Sequence, residues 1–119
     1  MLTEKQQWVE DHTLHQDNNH IRTLHLDDMP PGHHYAIRTE NAELLDLKFQ
    51  NGPVKANGVN GITSEALLAI LINRTTILNN NFPCEENRAA IHAMKTALEL
   101  FEQRTRDRMA RNVEGTNAL

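Results

Sequence analysis

Apolar and polar residues alternate in three short segments of the first half of the chain, which is the pattern of half-buried β-strands. The segments are residues 21–26, 34–39 and 44–49. In the third segment Leu45, Leu47 and Phe49 share one face, and the turn sequence at residues 30–32, Pro-Pro-Gly, separates the first two segments. Residues 20–50 are therefore predicted to form a small antiparallel β-sheet.

The second half of the chain changes to the three-to-four-residue spacing of amphipathic helices. Thr63 is a typical N-cap residue, and it precedes an apolar stripe made of Leu67, Leu68, Leu71 and Ile72. A longer helix is predicted from about Glu85 to about Arg111, and its apolar seam has coiled-coil spacing at Ile91, Met94, Leu98 and Phe101. Two helices joined by so short a turn form an antiparallel hairpin.

These elements predict a single α+β domain in which a small antiparallel β-sheet is followed by a two-helix antiparallel hairpin. Its parts are a polar N-terminal segment (1–19), the sheet (20–50), a glycine-rich loop (51–62), the helical hairpin (63–111) and a C-terminal tail (112–119). Thr3 followed by Gln6 could cap a short helix in the first part. Because only 39% of the residues are apolar, the core is modest and self-association would help the fold.

Charge and cysteine content narrow the classes of partner. A formal net charge of −4 argues against binding of nucleic-acid polymers, because such proteins are normally basic over a whole face. Cys84 is the only cysteine, so no intrachain disulfide can form and a reducing cytosol is the natural compartment. No apolar run approaches the roughly 18 residues of a membrane span, and the start lacks a signal-peptide pattern. We expect a soluble intracellular protein with no membrane contact.

An arginine-rich segment reverses the acidic balance near the end of the chain. Residues 102–111 contain four arginines and two carboxylates, which gives them a net charge of +2. Arg104, Arg108 and Arg111 are spaced i, i+4 and i+7, so they lie on one face of the predicted helix. Guanidinium groups suit bidentate contacts with phosphate. This face either binds a small anionic ligand or is a solvated helix end, where cations also favour the helix dipole.

Metal binding and catalysis find less support in the sequence. Four histidines lie close together in sequence, at His20, His25, His33 and His34. No Cys/His pair and no His-Glu-x-x-His spacing accompanies them, so neither a metal site nor a cofactor is predicted and the strand surface accounts for them. The chain also lacks Gly-x-Ser-x-Gly and an evident activating partner for Cys84, so an enzyme is the weaker hypothesis.

The loop over residues 51–62 has neither of the glycine patterns that bind nucleotide phosphates. Gly58 and Gly61 could let the backbone approach a ligand just before the Thr63 helix, whose free N–H groups favour anions. They could instead supply the positive φ angles of a tight connection, which the composition favours.

Several short motifs follow one another in order between residues 30 and 116. They are His33-His34-Tyr35, Phe49-Gln50-Asn51-Gly52-Pro53-Val54-Lys55, Asn57-Gly58-Val59-Asn60-Gly61, Glu65-Ala66-Leu67-Leu68-Ala69-Ile70, Cys84 with Glu86-Asn87, Arg104-Thr105-Arg106 and Val113-Glu114-Gly115-Thr116. In this order they resemble the phage Thoeris anti-defence signal-sponge family, which shares a helical-hairpin domain with the anti-CBASS sponges. The ordered set is far more specific than any one motif.

The resemblance implies a protein that is not an enzyme and that binds cyclic nucleotide immune signals, notably glycocyclic ADP-ribose made by host TIR proteins. Some members also bind cyclic di- or trinucleotides. The family forms homo-oligomers in which dimers build larger rings, so a hexamer in the cytoplasm of the infected bacterial host is expected. Two alternatives remain open: a hydrolase of the same messenger, and a structural helical-hairpin protein without a ligand.

The resemblance also implies that Asn87, Arg104 and Arg108 contact the ligand, with Arg111 on the same arginine face. Asn87 and Arg104 are 17 positions apart, so on one straight helix they lie about 25 Å from each other. No small nucleotide spans that distance, so a shared ligand requires residues from two subunits with their long helices antiparallel. The apolar seam of the long helix is a candidate surface for this pairing, although it could instead pack against the Thr63 helix.

Two positions depart from the family pattern. Ile77 stands where the family often has an aromatic residue that stacks on adenine, so Phe82 is the alternative partner for the base. Glu85 stands where a basic residue is common, which places a carboxylate near the expected phosphates. A second candidate site, for cyclic oligonucleotides, consists of Lys55, Asn57, Gly58, Asn60 and Gly61.

Overall fold

The computed structural model describes residues 12–18 and 20–111. The chain forms two compact units, Met1–Asn51 and Gly52–Leu119. The boundary lies at the start of the glycine-rich loop. The short helix predicted near Thr3 and the tail over residues 112–119 fall outside the described residues.

The first unit contains a four-stranded antiparallel sheet whose strands follow one another in chain order. The strands are β1 (Thr13–Asp17), β2 (Ile21–His25), β3 (His34–Arg38) and β4 (Glu43–Lys48). The three predicted strands are present as β2, β3 and β4. The turn before β3 contains Gly32 at φ +86°, a backbone conformation that glycine adopts without steric cost.

Strand β1 lies in the segment that the sequence predicts to be polar and without a strand. Four of its five residues are polar, and Leu14, the one apolar residue, is 58% exposed. Backbone pairing with β2 defines this strand, from Thr13 opposite Leu24 to Asp17 opposite Ile21. β1 is an edge strand held by hydrogen bonds rather than by buried side chains, so apolar periodicity does not reveal it.

The apolar core of the sheet is one cross-strand pair. Leu24 and Ala36 are register partners on β2 and β3, and they are the two fully buried apolar side chains of the described residues. On the predicted face of β4, Leu47 is half-buried, whereas Leu45 is 41% exposed. Because this core is so small, polar contacts contribute much of the stability of the sheet.

The most buried polar side chain in the described residues is His34 on β3, which is 7% exposed. Its Nδ1 lies 2.6 Å from Asp28 Oδ1 in the connection before β3, and its Nε2 lies 2.5 Å from Asp46 Oδ1 on β4. Both ring nitrogens can donate only when the imidazole is protonated. The hydrogen bonds to Asp28 and then Asp46 therefore raise the pKa of His34, and the bond to His34 lowers the pKa of Asp28.

The second unit contains three helices. They are α1 (Val54–Asn57), α2 (Ser64–Asn81) and α3 (Glu85–Ala110). The two predicted helices are present as α2 and α3, which pack against each other across a connection of three residues. The predicted loop contains the additional short helix α1, which follows Pro53.

Side-chain caps explain where the two long helices begin. The Thr63 hydroxyl accepts a hydrogen bond from the Ala66 N–H at 3.1 Å, as the sequence predicts. At the start of α3 the Cys84 Sγ accepts from the Asn87 N–H at 3.4 Å, and the Cys84 N–H in turn donates to Asn79 Oδ1 at 3.0 Å. Cys84 is therefore a half-buried capping residue in the turn between the helices.

Neither α2 nor α3 contains a buried residue. The predicted stripes face each other only in part, since Leu71 is 42% and Phe101 is 41% exposed. Among the residues that the structure describes, no helix is both long and apolar enough to cross a membrane. The hairpin thus presents much of its apolar surface to solvent.

The His34 contacts predict a stability that depends on pH. A raised folded-state pKa stabilises the fold below the ordinary histidine value of 6.5, and this contribution is lost as the pH rises through the folded-state value. The lowered pKa of Asp28 contributes above its ordinary value of 3.8 and is lost as the pH falls through its folded-state value. The loss of stability caused by His34→Gln should therefore be larger at about pH 6 than at about pH 8.

Thermal unfolding of the wild type and of His34→Gln at both pH values measures this difference, and His15→Gln on exposed β1 is the control. An equal loss at the two pH values would show that folding does not raise the pKa of His34.

Candidate ligand-binding site

The three arginines of the predicted face lie at the C-terminal end of α3, away from the turn of the hairpin. Arg104 and Arg111 are exposed, whereas Arg108 is half-buried and its Nε is shielded from solvent. α3 has 26 residues and α2 has 18, so an antiparallel α3 extends about 12 Å past the start of α2. Arg108 and Arg111 belong to this extension, and the exposed side chains of Arg104 and Arg111 are accessible to a ligand or a partner.

A hydrogen-bond chain occupies the polar groups beside this face. Gln103 Nε2 donates to Asp107 Oδ1 at 2.8 Å, and Arg106 Nη2 donates to Gln103 Oε1 at 2.8 Å. Within the described part of the chain, Arg104 and Arg111 form no ion pair with any of the acidic residues. The positive charge of these two side chains is thus available to an anion, while Arg106 is held by Gln103.

The other predicted contact residues lie at the turn end of the hairpin. Asn87 is half-buried in the first turn of α3, where its backbone N–H is fixed by Cys84. Ile77 is 52% exposed and Phe82 is 81% exposed. Phe82 is the C-cap residue that follows α2, and its N–H donates to the Leu78 carbonyl at 2.9 Å. Both apolar side chains are exposed enough to contact a base, so each is a candidate for the adenine contact.

The carboxylate of Glu85 is partly neutralised by Arg88, one turn further along α3. The Arg88 guanidinium donates to the Glu85 carboxylate, and the two residues form an i, i+3 ion pair with both side chains exposed. An exposed pair of this kind contributes little to stability but does reduce the local negative charge. Arg88 therefore places a positive charge beside Glu85 at this end of the helix, and the i, i+3 spacing of the two residues makes their pairing predictable.

The predicted contacts form two groups at opposite ends of α3. The helix is continuous from Glu85 to Ala110, so the Cα atoms of Asn87 and Arg104 are about 25 Å apart. The structure of one chain does not bring Asn87 and Arg104 together.

The glycine-rich loop is shaped by its glycines and by a side chain. Gly52 has φ +79° and Gly58 has φ +68°, whereas Gly61 does not adopt a positive φ. Asn57 Nδ2 donates to the Pro53 carbonyl at 3.2 Å and packs over Gly52. Backbone conformation accounts for Gly58 but leaves Gly61 without such an explanation. The remaining residues of the second candidate site, Lys55 and Asn60, are exposed.

The structure also brings together three potential metal-binding side chains that the sequence does not connect. His12, His25 and Asp27 have ligand atoms within 4.8 Å of one another. Of the four histidines considered above, only His25 belongs to this group. The pairing of β1 with β2 creates the group, and because sequence analysis misses β1 it also misses the cluster.

Comparisons with known proteins give one family match and one curated relative. A family model described as "Acb2/Tad1, hairpin domain" matches residues 40–106, which is more than half of the chain. A protein named "Thoeris anti-defense 1" from Bacillus phage SBSphiJ7 is 41% identical over 76 residues, covering 63% of this chain and 54% of the relative. The chain thus spans about half the length of this curated relative. The family match includes Asn87 and Arg104 and ends before Arg108.

The loop geometry predicts how its glycines respond to substitution. Gly52→Ala and Gly58→Ala should each lower the free energy of unfolding by about 1–2 kcal/mol, because an L side chain is strained at positive φ. Gly61→Ala lacks this penalty and should cost clearly less. Chemical denaturation of the three variants provides the measurement, and a loss at Gly61 as large as at Gly58 would contradict the backbone argument.

Proposed function

Because the chain belongs to the Acb2/Tad1 hairpin-domain family, we propose that it is a phage anti-defence protein that sequesters a cyclic nucleotide immune signal. The proposed ligand is chiefly glycocyclic ADP-ribose, bound without cleavage in the cytoplasm of the infected bacterial host. The name of the relative, which refers to Thoeris anti-defence, supports this role for that protein. The observation that carries the proposal here is the placement of three arginines on one face at the C-terminal end of α3, with Arg104 and Arg111 exposed.

Each group of residues has a part suited to one portion of such a ligand. Arg104 and Arg108 would bind the pyrophosphate through charge-assisted hydrogen bonds, and Arg111 would extend the positive surface. Asn87 can both donate and accept, which suits a ribose hydroxyl or a base edge. Ile77 or Phe82 would cover the adenine through apolar contact.

The 25 Å separation along α3 requires two chains to complete this site. Exposed apolar side chains on α2 and α3 support such an assembly, because a second copy of the chain would cover them. The most exposed are Ile70 at 62%, Leu100 at 65% and Met109 at 61%. We propose a homo-oligomer built from dimers with antiparallel long helices, with a hexamer as the complete assembly.

The proposed contact residues suit binding better than hydrolysis. Arginine stays protonated at neutral pH, and asparagine and apolar side chains do not accept a proton from water, so none of them serves as a general base. A sponge must keep the signal from the defence effector, which requires slow dissociation of the ligand rather than turnover. This favours a sponge over the alternative of a messenger hydrolase.

The glycine-rich loop is proposed as a second site for cyclic di- or trinucleotides. The exposed Lys55 offers a cation, and Asn57 and Asn60 place exposed amide side chains beside Gly58 and Gly61. Gly61 is the informative position, since positive φ does not account for it. If Gly61→Ala folds normally and weakens cyclic oligonucleotide binding, close backbone approach explains this glycine.

Calorimetric titration with glycocyclic ADP-ribose tests the main site. Arg108→Ala should weaken binding by about 10- to 150-fold, because one lost charge-assisted contact is worth about 1.5–3 kcal/mol. Arg106→Ala is the matched control, since Arg106 has the same charge on the same helix but is held by Gln103. Equal effects of the two substitutions would show that general charge, and not the arginine face, governs affinity.

Two further outcomes separate the alternatives. Recovery of intact ligand after heat denaturation of the complex supports sequestration, whereas recovery of a cleaved product identifies a hydrolase. Absence of a ligand-dependent rise in melting temperature with every cyclic nucleotide would leave the structural helical-hairpin protein.

Sedimentation velocity tests the assembly. Leu100→Glu should raise the dissociation constant of the oligomer by at least about tenfold, because it places a charge in the apolar contact. Lys95→Glu is a stringent control, because it changes the charge more but lies on a different face of α3. A wild-type monomer at micromolar concentration would exclude the shared site.

A further inference from the structure

Three side chains that bind metals in proteins meet at one end of the sheet. His12 immediately precedes β1, His25 ends β2, and Asp27 follows in the connection to β3. Because Thr13 is opposite Leu24 in the register of β1 and β2, His12 comes to lie beside His25. The strand pairing itself therefore brings the two imidazole rings together, with a distance of 4.6 Å between ring centroids.

The carboxylate of Asp27 faces both rings. His12 Nε2 lies 2.5 Å from Asp27 Oδ2, and His25 Nδ1 lies 3.6 Å from Asp27 Oδ1. The three ligand atoms are all within 4.8 Å of one another. Ligands of a tetrahedral Zn²⁺ ion are about 3.3 Å apart, given metal–ligand bonds of about 2.0–2.1 Å. Small rotations of the imidazole rings would bring the three atoms to this spacing.

The donor set indicates the class of ion. Two imidazole nitrogens and one carboxylate suit Zn²⁺ and similar divalent transition metals, whereas Mg²⁺ and Ca²⁺ prefer oxygen ligands throughout. The side chains of His12 and His25 are 30% and 37% exposed, and that of Asp27 is 68% exposed. An ion can therefore enter from solvent, and water can complete its coordination.

We propose that His12, His25 and Asp27 form a binding site for a divalent transition-metal ion, with Zn²⁺ as the representative. The bound ion fastens edge strand β1 to the end of β2 and to the connection that precedes β3. Within the described residues, no other group brings together three such ligands. All three ligands belong to the first unit, whereas the proposed nucleotide contacts belong to the second.

A second histidine on β1 provides a matched comparison. His15 Nε2 lies 2.9 Å from Asp17 Oδ1, which is also a histidine–aspartate pair on the sheet surface. This pair contains one imidazole instead of two, and so offers two ligands. His15→Ala thus removes an exposed histidine and its carboxylate contact while leaving the proposed site complete.

Zinc titration of the untagged, chelator-treated chain tests the proposal by calorimetry and thermal unfolding. All proteins carry Cys84→Ser, which removes the only thiol while keeping a capping acceptor at the start of α3. The site should bind one Zn²⁺ per chain and raise the melting temperature, and Mg²⁺ should do neither. His25→Ala and Asp27→Asn should each weaken Zn²⁺ binding at least about tenfold, whereas His15→Ala should leave it unchanged.

Asp27→Asn keeps the size of an exposed side chain, so it tests the ligand role even if His25→Ala disturbs the sheet. Failure of the Cys84→Ser chain to bind Zn²⁺, or an equal response of the His15 and Asp27 variants, overturns the proposal. Equal binding of Mg²⁺ overturns it as well, because an exposed carboxylate alone would then explain the result.

Discussion

The scarcity of buried apolar side chains is the constraint on which the other features of this protein depend. Leu24 and Ala36 form the whole fully buried apolar core of the described residues, and the two long helices contribute nothing to it. A pair of helices has only one mutual contact, so the rest of each apolar stripe stays open until another surface covers it. The need for that surface links the length of α3, its exposed apolar side chains and the proposed assembly.

The sheet meets the same constraint in a different way. Its centre contains a histidine between two carboxylates in place of further apolar groups, and one end gathers two more histidines around Asp27. Directional polar contacts give a small sheet a defined register where packing is sparse. They also make the stability of the sheet responsive to protons, and in our proposal to metal ions, to a degree that a larger apolar core would suppress.

Local signals made much of this architecture predictable. Alternation revealed β2, β3 and β4, helical spacing and caps revealed α2 and α3, and an i, i+4, i+7 spacing placed three arginines on one face. The polar strand Thr13–Asp17 could not be predicted because only pairing with a neighbour defines it. Strand pairing also determines two other features. The contact of His34 with Asp46 depends on the pairing of β3 with β4. The cluster around Asp27 depends on the pairing of β1 with β2. The identity of the ligand rests on family resemblance, because an arginine face specifies an anion but not its kind.

The length of α3 has a consequence for mixed populations of the protein. In a two-fold dimer, each proposed site takes Asn87 from one chain and Arg104 from the other. A dimer of an Asn87-defective chain and an Arg104-defective chain therefore has one site with both defects and one site with neither. Half of the randomly assorted dimers are mixed, so two alleles that are each inactive alone would restore about a quarter of the sites when expressed equally in the same cell. The separation of about 25 Å along one helix therefore predicts intragenic complementation between these two alleles.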